Sequence, residues 1–328
     1  MLSMDNLQKL SIPEQNVVKE KTARLSVISN TGLVILKFVV GFAVGSVSII
    51  SEAIHSSMDL LAAGIAFFSV KKSSEPPDEK HEFGHGKFED FSGLIEAILI
   101  FAAAAIIIYE AVSKLLSHEQ ETLSMNLLVI GIAVMGISAL ANWLVSRQLM
   151  KVAKETESIA LESDAWHLRT DVYTSLGVLA GLVLIRITGI TILDSIFAIG
   201  VALVIIRAAY DLTCRSLADL MDQSLPKADD LRIKEIICQH ASDYAGFHDL
   251  KTRRSGPEVF IDFHLVMPKN ISVEQAHDLM DHLESDLTVE YPRATINIHT
   301  EPCNEGCNRC GEFCTYYEKH GADTDKTG

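Results

Sequence analysis

Basic residues are scarce in this chain. Its 328 residues carry 28 Lys and Arg against 43 Asp and Glu, a formal charge of −15, which argues against nucleic acid as a partner and suits attraction of cations. One signature is also missing: there is no G-x-x-x-x-G-K-[ST] phosphate loop, so ATP-driven pumping has no support. The run from His81 to His85, HEFGH, does spell HExxH, but Gly84 and Gly86 argue for a bent loop where a zinc hydrolase carries that pair on a helix, so the chain does not read as an enzyme. Residues Met1 to Thr22 lack an apolar run leading to a small-residue cleavage site, so no removable signal peptide is expected.

Apolar residues are plentiful, at 48%, and they are bunched. Six blocks approach the roughly 20 residues that a helix needs to cross a hydrocarbon core: Arg24 to Val44, Ser46 to Val70, Phe91 to Leu115, Met125 to Leu149, Ser163 to Arg186 and Ile190 to Tyr210. Lys71, Lys72, Lys80 and Lys87 follow the second block, Arg147, Lys151 and Lys154 the fourth, and Arg207 and Arg215 the sixth, while the alternate loops are short and nearly free of basic residues. By the positive-inside rule both termini are expected in the cytoplasm of an integral membrane protein, in a bacterial inner or plasma membrane.

After Arg215 the apolar blocks stop. Asp230 to Ala241 has helical spacing, with Leu231, Ile233, Ile236 and Ile237 on one face. Asp249 to Arg254 reads as a strand, and Val259, Ile261, Phe263 and Leu265 alternate with Phe260, Asp262, His264 and Val266 as another. A helix over Val273 to Val289 and a short strand containing Ile296 and Ile298 complete an αββαβ order, a small α+β sandwich with helices on one side of a sheet. The expected organisation is a cytoplasmic segment 1–22, a six-helix transmembrane bundle 23–212, a cytoplasmic domain 213–302 and a Cys-containing tail 303–328.

Ionisable residues within spanning helices are costly and therefore candidates for function. The second block contains SEAIHSSMDLL and the fifth SDAWHLRTDVYTS, so His55 precedes Asp59, and His167 precedes Asp171, at the same i, i+4 spacing. Such residues share a helix face. Two facing helices would offer two nitrogens and two oxygens, a set that tetrahedral zinc accepts. Metal binding needs neutral imidazole and ionised carboxylate, so it competes with protons. The competing reading is polar glue between helices, which is the expectation for Glu52, Glu96 and Asn30.

The paired motif, the loop segment HEFGHGKFE and the tail segment HDLKTRRSGP together resemble the cation diffusion facilitator family, over Lys19 to Pro302. The resemblance implies a homodimeric, proton-coupled exporter of divalent metal with six spans and a metallochaperone-like cytoplasmic domain. It carries the transport site onto His55, Asp59, His167 and Asp171. Many relatives have Asp where this chain has His55, and the His form is similar to zinc-selective members. Zn2+ is therefore the expected cargo, with Fe2+, Co2+, Cd2+ and Ni2+ as alternatives and manganese disfavoured. The resemblance also implies a loop site at Asp78, His81 and His85, and a cytoplasmic site at His248, His264, His277, His299 and Glu301, with His277 supplied by the other subunit. Glu301 departs from the usual Asp. Lys87 and Asp222 match a charge pair of the family.

Strand alternation independently puts Asp262 with His264, and His299 with Glu301, opposite a core face of Ile261, Phe263, Ile296 and Ile298. Beyond the family pattern, Cys303, Cys307, Cys310 and Cys314 form C-x3-C-x2-C-x3-C. In a reducing cytoplasm this set offers either thiolates for zinc, copper(I) or an iron-sulfur cluster, or an unliganded end. The remaining readings are a membrane-anchored metal sensor or scaffold and a channel. The intact quartet argues against the first, and four strong ligands would hold zinc too firmly for the second.

Overall fold

The computed structural model describes residues 10–44, 47–117, 125–188 and 192–303. The chain divides between Leu220 and Met221 into two compact units.

The first unit contains α1 (Ile12–Val44), α2 (Val47–Ser73), α3 (Lys87–Ser117), α4 (Met125–Thr156), α5 (Ile159–Thr188) and α6 (Ile192–Leu220). At about 1.5 Å rise per residue each exceeds the roughly 30 Å hydrocarbon core of a bilayer. Among the described residues, α1, α2, α3 and α6 have the length and apolar composition to cross a membrane. In α5, Asp164, His167, Arg169 and Asp171 all lie within the first half.

Polarity is arranged inside out. Ile35, Val39 and Phe42 of α1, Ile98 and Ile106 of α3 and Leu203 and Val204 of α6 are exposed, whereas Ser26, Glu89, Glu96 and Asp164 are fully buried. This suits a hydrocarbon surround, because apolar faces need no covering there and polar groups must find partners within the protein. Helix α1 packs along α2, α3 along α6 and α4 along α5, with α2 and α5 also in contact. Small residues permit the close approaches. Ala97 and Ala104 meet Ala209 and Ile205 between α3 and α6, and a Cβ added at Gly93 would sit 2.7 Å from the Ser216 hydroxyl.

Helix α1 begins twelve residues before the apolar block that starts at Arg24. Its polar first turns are held by Lys19, whose ammonium pairs with Glu89 of α3 in a fully buried contact. Glu89 also accepts hydrogen bonds from Ser73 at the end of α2, at 2.6 Å, and from Ser158 beside the start of α5. One carboxylate thus ties four segments together at one end of the bundle.

The second unit runs α7 (Lys227–Gln239), β1 (Gly246–Ser255), β2 (Glu258–Met267), α8 (Val273–Glu290) and β3 (Ala294–Pro302), the αββαβ order expected. The sheet order is β1-β2-β3, with β1 antiparallel and β3 parallel to β2. Val259, Ile261, Phe263, Leu265 and Met267 pack against Ile233, Ile236 and Ile237 of α7 and Leu279, Leu283 and Leu287 of α8. Leu231, expected on that apolar face, is instead exposed. Ser272 starts α8 through a capping box with Gln275, satisfying amides that the first turn leaves open.

Leu283 is fully buried, so Leu283→Ala is expected to weaken this unit by about 2–5 kcal/mol. Hydrogen exchange of the full chain should report it as faster exchange at the Ile261 and Phe263 amides, and unchanged protection there would contradict the packing described.

Candidate metal centres

The i, i+4 pairs of α2 and α5 point toward each other. Ligand atoms of His55, Asp59 and Asp171 all lie within 4.8 Å of one another. His167 is not in that trio, but its Nε2 lies 3.2 Å from Asp59 Oδ1, linking α5 to α2. Asp59 and His167 are buried and His55 is exposed. From α4, Asn142 donates its Nδ2 to Asp171 Oδ2 at 3.0 Å and orients that carboxylate. His55, Asp59, Asn142 and Asp171 line a cavity of about 130 Å³, which Lys37, Glu52, Ser138 and Thr174 also line.

Asn142 and Lys37 were not singled out from sequence. Lys37 carried a usable signal, a lone cation within the apolar run LVILKFVV. Of the residues expected to bond a neighbouring helix, Glu52 does so, accepting from Lys37 Nζ at 2.9 Å. Both Glu96 oxygens and the Asn30 Nδ2 lack a hydrogen-bond partner among the described residues. The nearby Ser163 hydroxyl is committed to the Ile159 and Ala160 carbonyls, each at 3.0 Å.

In the loop between α2 and α3, Asp78, His81 and His85 offer ligand atoms within 4.8 Å of one another. Asp78 Oδ1 lies 3.2 Å from His81 Nδ1, and Asp78 Oδ2 lies 3.2 Å from His85 Nε2. The loop folds this way because Asp78 Oδ1 also accepts the amides of His81, at 2.7 Å, and Lys80, at 2.9 Å, a side-chain-closed turn. Gly84 then takes a φ of 83° that bends the chain before α3. Those two amides hold the Asp78 carboxyl at about 2, well below the ordinary carboxylate range, and the His81 side chain lowers it further.

On the sheet, His248, His264 and His299 are successive cross-strand partners, forming one row over β1, β2 and β3. His248, His264 and Glu301 bring ligand atoms within 4.8 Å, with His264 Nδ1 3.0 Å from Glu301 Oε1. His299 Nε2 lies 3.9 Å from the same oxygen, at the edge of the group. His277 lies on α8, outside this cluster, 3.4 Å from Asp281. Asp262 follows the alternation but does not join the trio.

An oxygen missed from sequence is Asp249. The register slips between His248 and Lys251, Asp249 adopts a φ of 55°, and its Oδ2 comes within 3.7 Å of His264 Nε2. Lys251 donates to that carboxylate at 2.8 Å and holds its pKa below the usual range. Lys87 donates to the Leu220 carbonyl at 3.4 Å, and Asp222 pairs with Arg253 at 3.3 Å. Cys303 is buried, its amide donating to the Met267 carbonyl at 2.9 Å. Cys307, Cys310 and Cys314 lie outside the described residues.

Fold and geometry together define an integral membrane protein with metal-type ligand clusters in its helix bundle, a loop and a three-stranded sheet. Residues 23–221 match the cation efflux transmembrane domain, and residues 225–303 the cytoplasmic domain of cation efflux proteins. The chain belongs to the cation efflux family. Among its relatives, an uncharacterized transporter of Synechocystis is 36% identical over 80% of this chain and 83% of its own length. An uncharacterized transporter of Methanocaldococcus jannaschii is 32% identical over 85% of this chain and 97% of its own. The cation-efflux pump FieF of Pectobacterium atrosepticum is likewise 32% identical, over 85% of this chain and 92% of its own.

A carboxyl lowered to about 2 contributes fully to the loop turn above its unfolded pKa of about 3.9 and loses that contribution as pH falls through about 2. Titration of a 13C-labelled Asp78 carboxyl should therefore show its midpoint near 2, while an unshifted midpoint would contradict the turn.

Proposed function

We propose that this protein exports a divalent transition metal, foremost Zn2+, from the cytoplasm in exchange for protons. The single observation carrying this reading is the convergence of His55, Asp59 and Asp171 within 4.8 Å, with His167 bonded to Asp59, inside a transmembrane bundle. Two imidazoles and two carboxylates match the tetrahedral nitrogen and oxygen preference of zinc, and a softer or harder donor set would favour other ions.

Transport follows from opposing demands on the same atoms. The cargo needs the imidazoles neutral and the carboxylates ionised, so protons arriving from the outer side displace it, and their loss on the inner side restores the site. Asn142 keeps one Asp171 oxygen directed by a hydrogen bond, leaving the other for cargo or proton. The cavity's lining runs from Asp59 and Asp171 toward Lys37, Glu52 and Thr174, which lie closer than the quartet to the α1–α2 and α5–α6 connections. With cytoplasmic termini those connections face outward, so this is a release-facing arrangement. Glu96 and Asp164, one to two turns toward the other end, are closed off from solvent.

The loop trio and the sheet trio are metal sites of a regulatory kind in this reading, the latter at a homodimer interface where His277 of a second copy completes the coordination. Metal held by His248, His264 and Glu301 would draw two cytoplasmic domains together and bias the bundle's conformations. The membrane is a bacterial inner or plasma membrane.

Reconstitution into proteoliposomes tests the transport site. Across a panel of Zn2+, Fe2+, Co2+, Cd2+, Ni2+ and Mn2+, zinc should move fastest, faster still with an imposed pH gradient, and Asp59→Ala or Asp171→Ala should abolish metal-dependent proton flux. Undiminished transport in both variants, or indifference to the gradient, would refute the mechanism.

A further inference from the structure

The cavity that holds the cation ligands also holds a fixed cation. Lys37 projects from α1 with a side chain only 5% exposed, and its ammonium is bonded to Glu52 Oε1 at 2.9 Å and to Ser56 Oγ at 2.6 Å. Its partner Glu52 is 42% exposed. Both line the same cavity of about 130 Å³ as His55, Asp59 and Asp171. A buried ammonium in a transmembrane helix is costly and needs a reason. Anchoring α1 to α2 would be served equally by two neutral groups, and it does not require the pair to open into the cation cavity.

We propose that Lys37 and Glu52 set how firmly the cavity holds its divalent cation, Lys37 weakening the hold and Glu52 strengthening it, so that the pair tunes release. This rests on the reading of the quartet as the transport site. The charge arithmetic is simple. Asp59 and Asp171 supply two negative charges for a doubly charged cargo, and Glu52 alone would supply a third carboxylate along the exit, turning a release path into a tighter site. Lys37 cancels that third charge while Ser56 fixes its ammonium on α2. Within a few ångströms, and at the effective dielectric of a partly wet protein cavity, one unit charge acting on a divalent ion is enough to change affinity by about tenfold or more. Lys37 is thus an affinity-setting residue that need not touch the cargo.

The pair makes a prediction with opposite signs for its two members. Zn2+ binding to the full chain in lipid nanodiscs is measured calorimetrically, in a background where Asp78, His81, His85, His248, His264, His299 and Glu301 are replaced by Ala and the four tail cysteines by Ser, for the parent, Lys37→Met, Glu52→Gln and the double variant. Lys37→Met should bind about tenfold or more tighter and release Zn2+ correspondingly more slowly in stopped flow. Glu52→Gln should bind about tenfold or more weaker, and the double variant, with the parent's net charge, should return to within about threefold of the parent. Lys37→Arg, which keeps the charge, should resemble the parent, and Lys37→Gln substitutes for Lys37→Met if that variant does not fold. A merely structural pair would weaken binding in both single variants, and that result, or equal affinities throughout, would overturn the inference while leaving the quartet intact. Absence of stoichiometric zinc binding in the parent, or binding that survives Asp171→Asn unchanged, would overturn the transport-site reading and this inference with it.

Discussion

The contact between His167 on α5 and Asp59 on α2 organises the transmembrane unit. A carboxylate in the middle of a helix bundle has to be compensated where it stands, since lipid offers it nothing, and removing one partner from such a buried pair typically costs about 3–5 kcal/mol. Asp59 is compensated by the imidazole 3.2 Å away. That contact holds α2 and α5 face to face, and it brings the other members of the two i, i+4 pairs into one cavity. The neighbouring helices then supply the remaining polar groups, Asn142 from α4 to Asp171 and Lys37 from α1 to Glu52. Outer faces of Ile, Val, Leu and Phe are the complement of this arrangement, and small residues pack α3 against α6.

The three ligand clusters are built by different devices. In the bundle, helical periodicity aligns each His with its Asp and helix packing opposes the two pairs. In the loop, a single carboxylate closes a turn through two amides and thereby brings His81 and His85 onto its own oxygens. On the sheet, register does the work, because His248, His264 and His299 are neighbours across three strands and Glu301 stands two residues beyond the last of them. The burial differs accordingly. Asp59 and His167 are buried and His55 is exposed, whereas the sheet cluster has only half-buried and exposed members.

Periodicity made much of this legible. The i, i+4 spacing fixed which groups share a face, and alternation in Val259 to Leu265 fixed which face of β2 is core, and both follow from the geometry of one element. The residues that escaped depend on relations between elements. Asn142 reaches Asp171 only because α4 lies along α5. Asp249 joins the sheet cluster only because the strand slips register after His248. The first turns of α1 are helical because Lys19 finds Glu89, which is far along the chain. Glu96 is the opposite case, since its residue type suggests an interhelical bond while the nearby Ser163 hydroxyl is committed to its own helix backbone.

The central claim is that the cargo is held by nitrogen and oxygen ligands within the bundle. The most direct measurement is zinc X-ray absorption on the full chain with Asp78, His81, His85, His248, His264, His299 and Glu301 replaced by Ala and the four tail cysteines by Ser. The account predicts one zinc per chain in a four-coordinate shell of nitrogen and oxygen at about 2.0–2.1 Å, with the multiple-scattering signature of imidazole. A six-oxygen shell without imidazole, or no retained zinc, would contradict it.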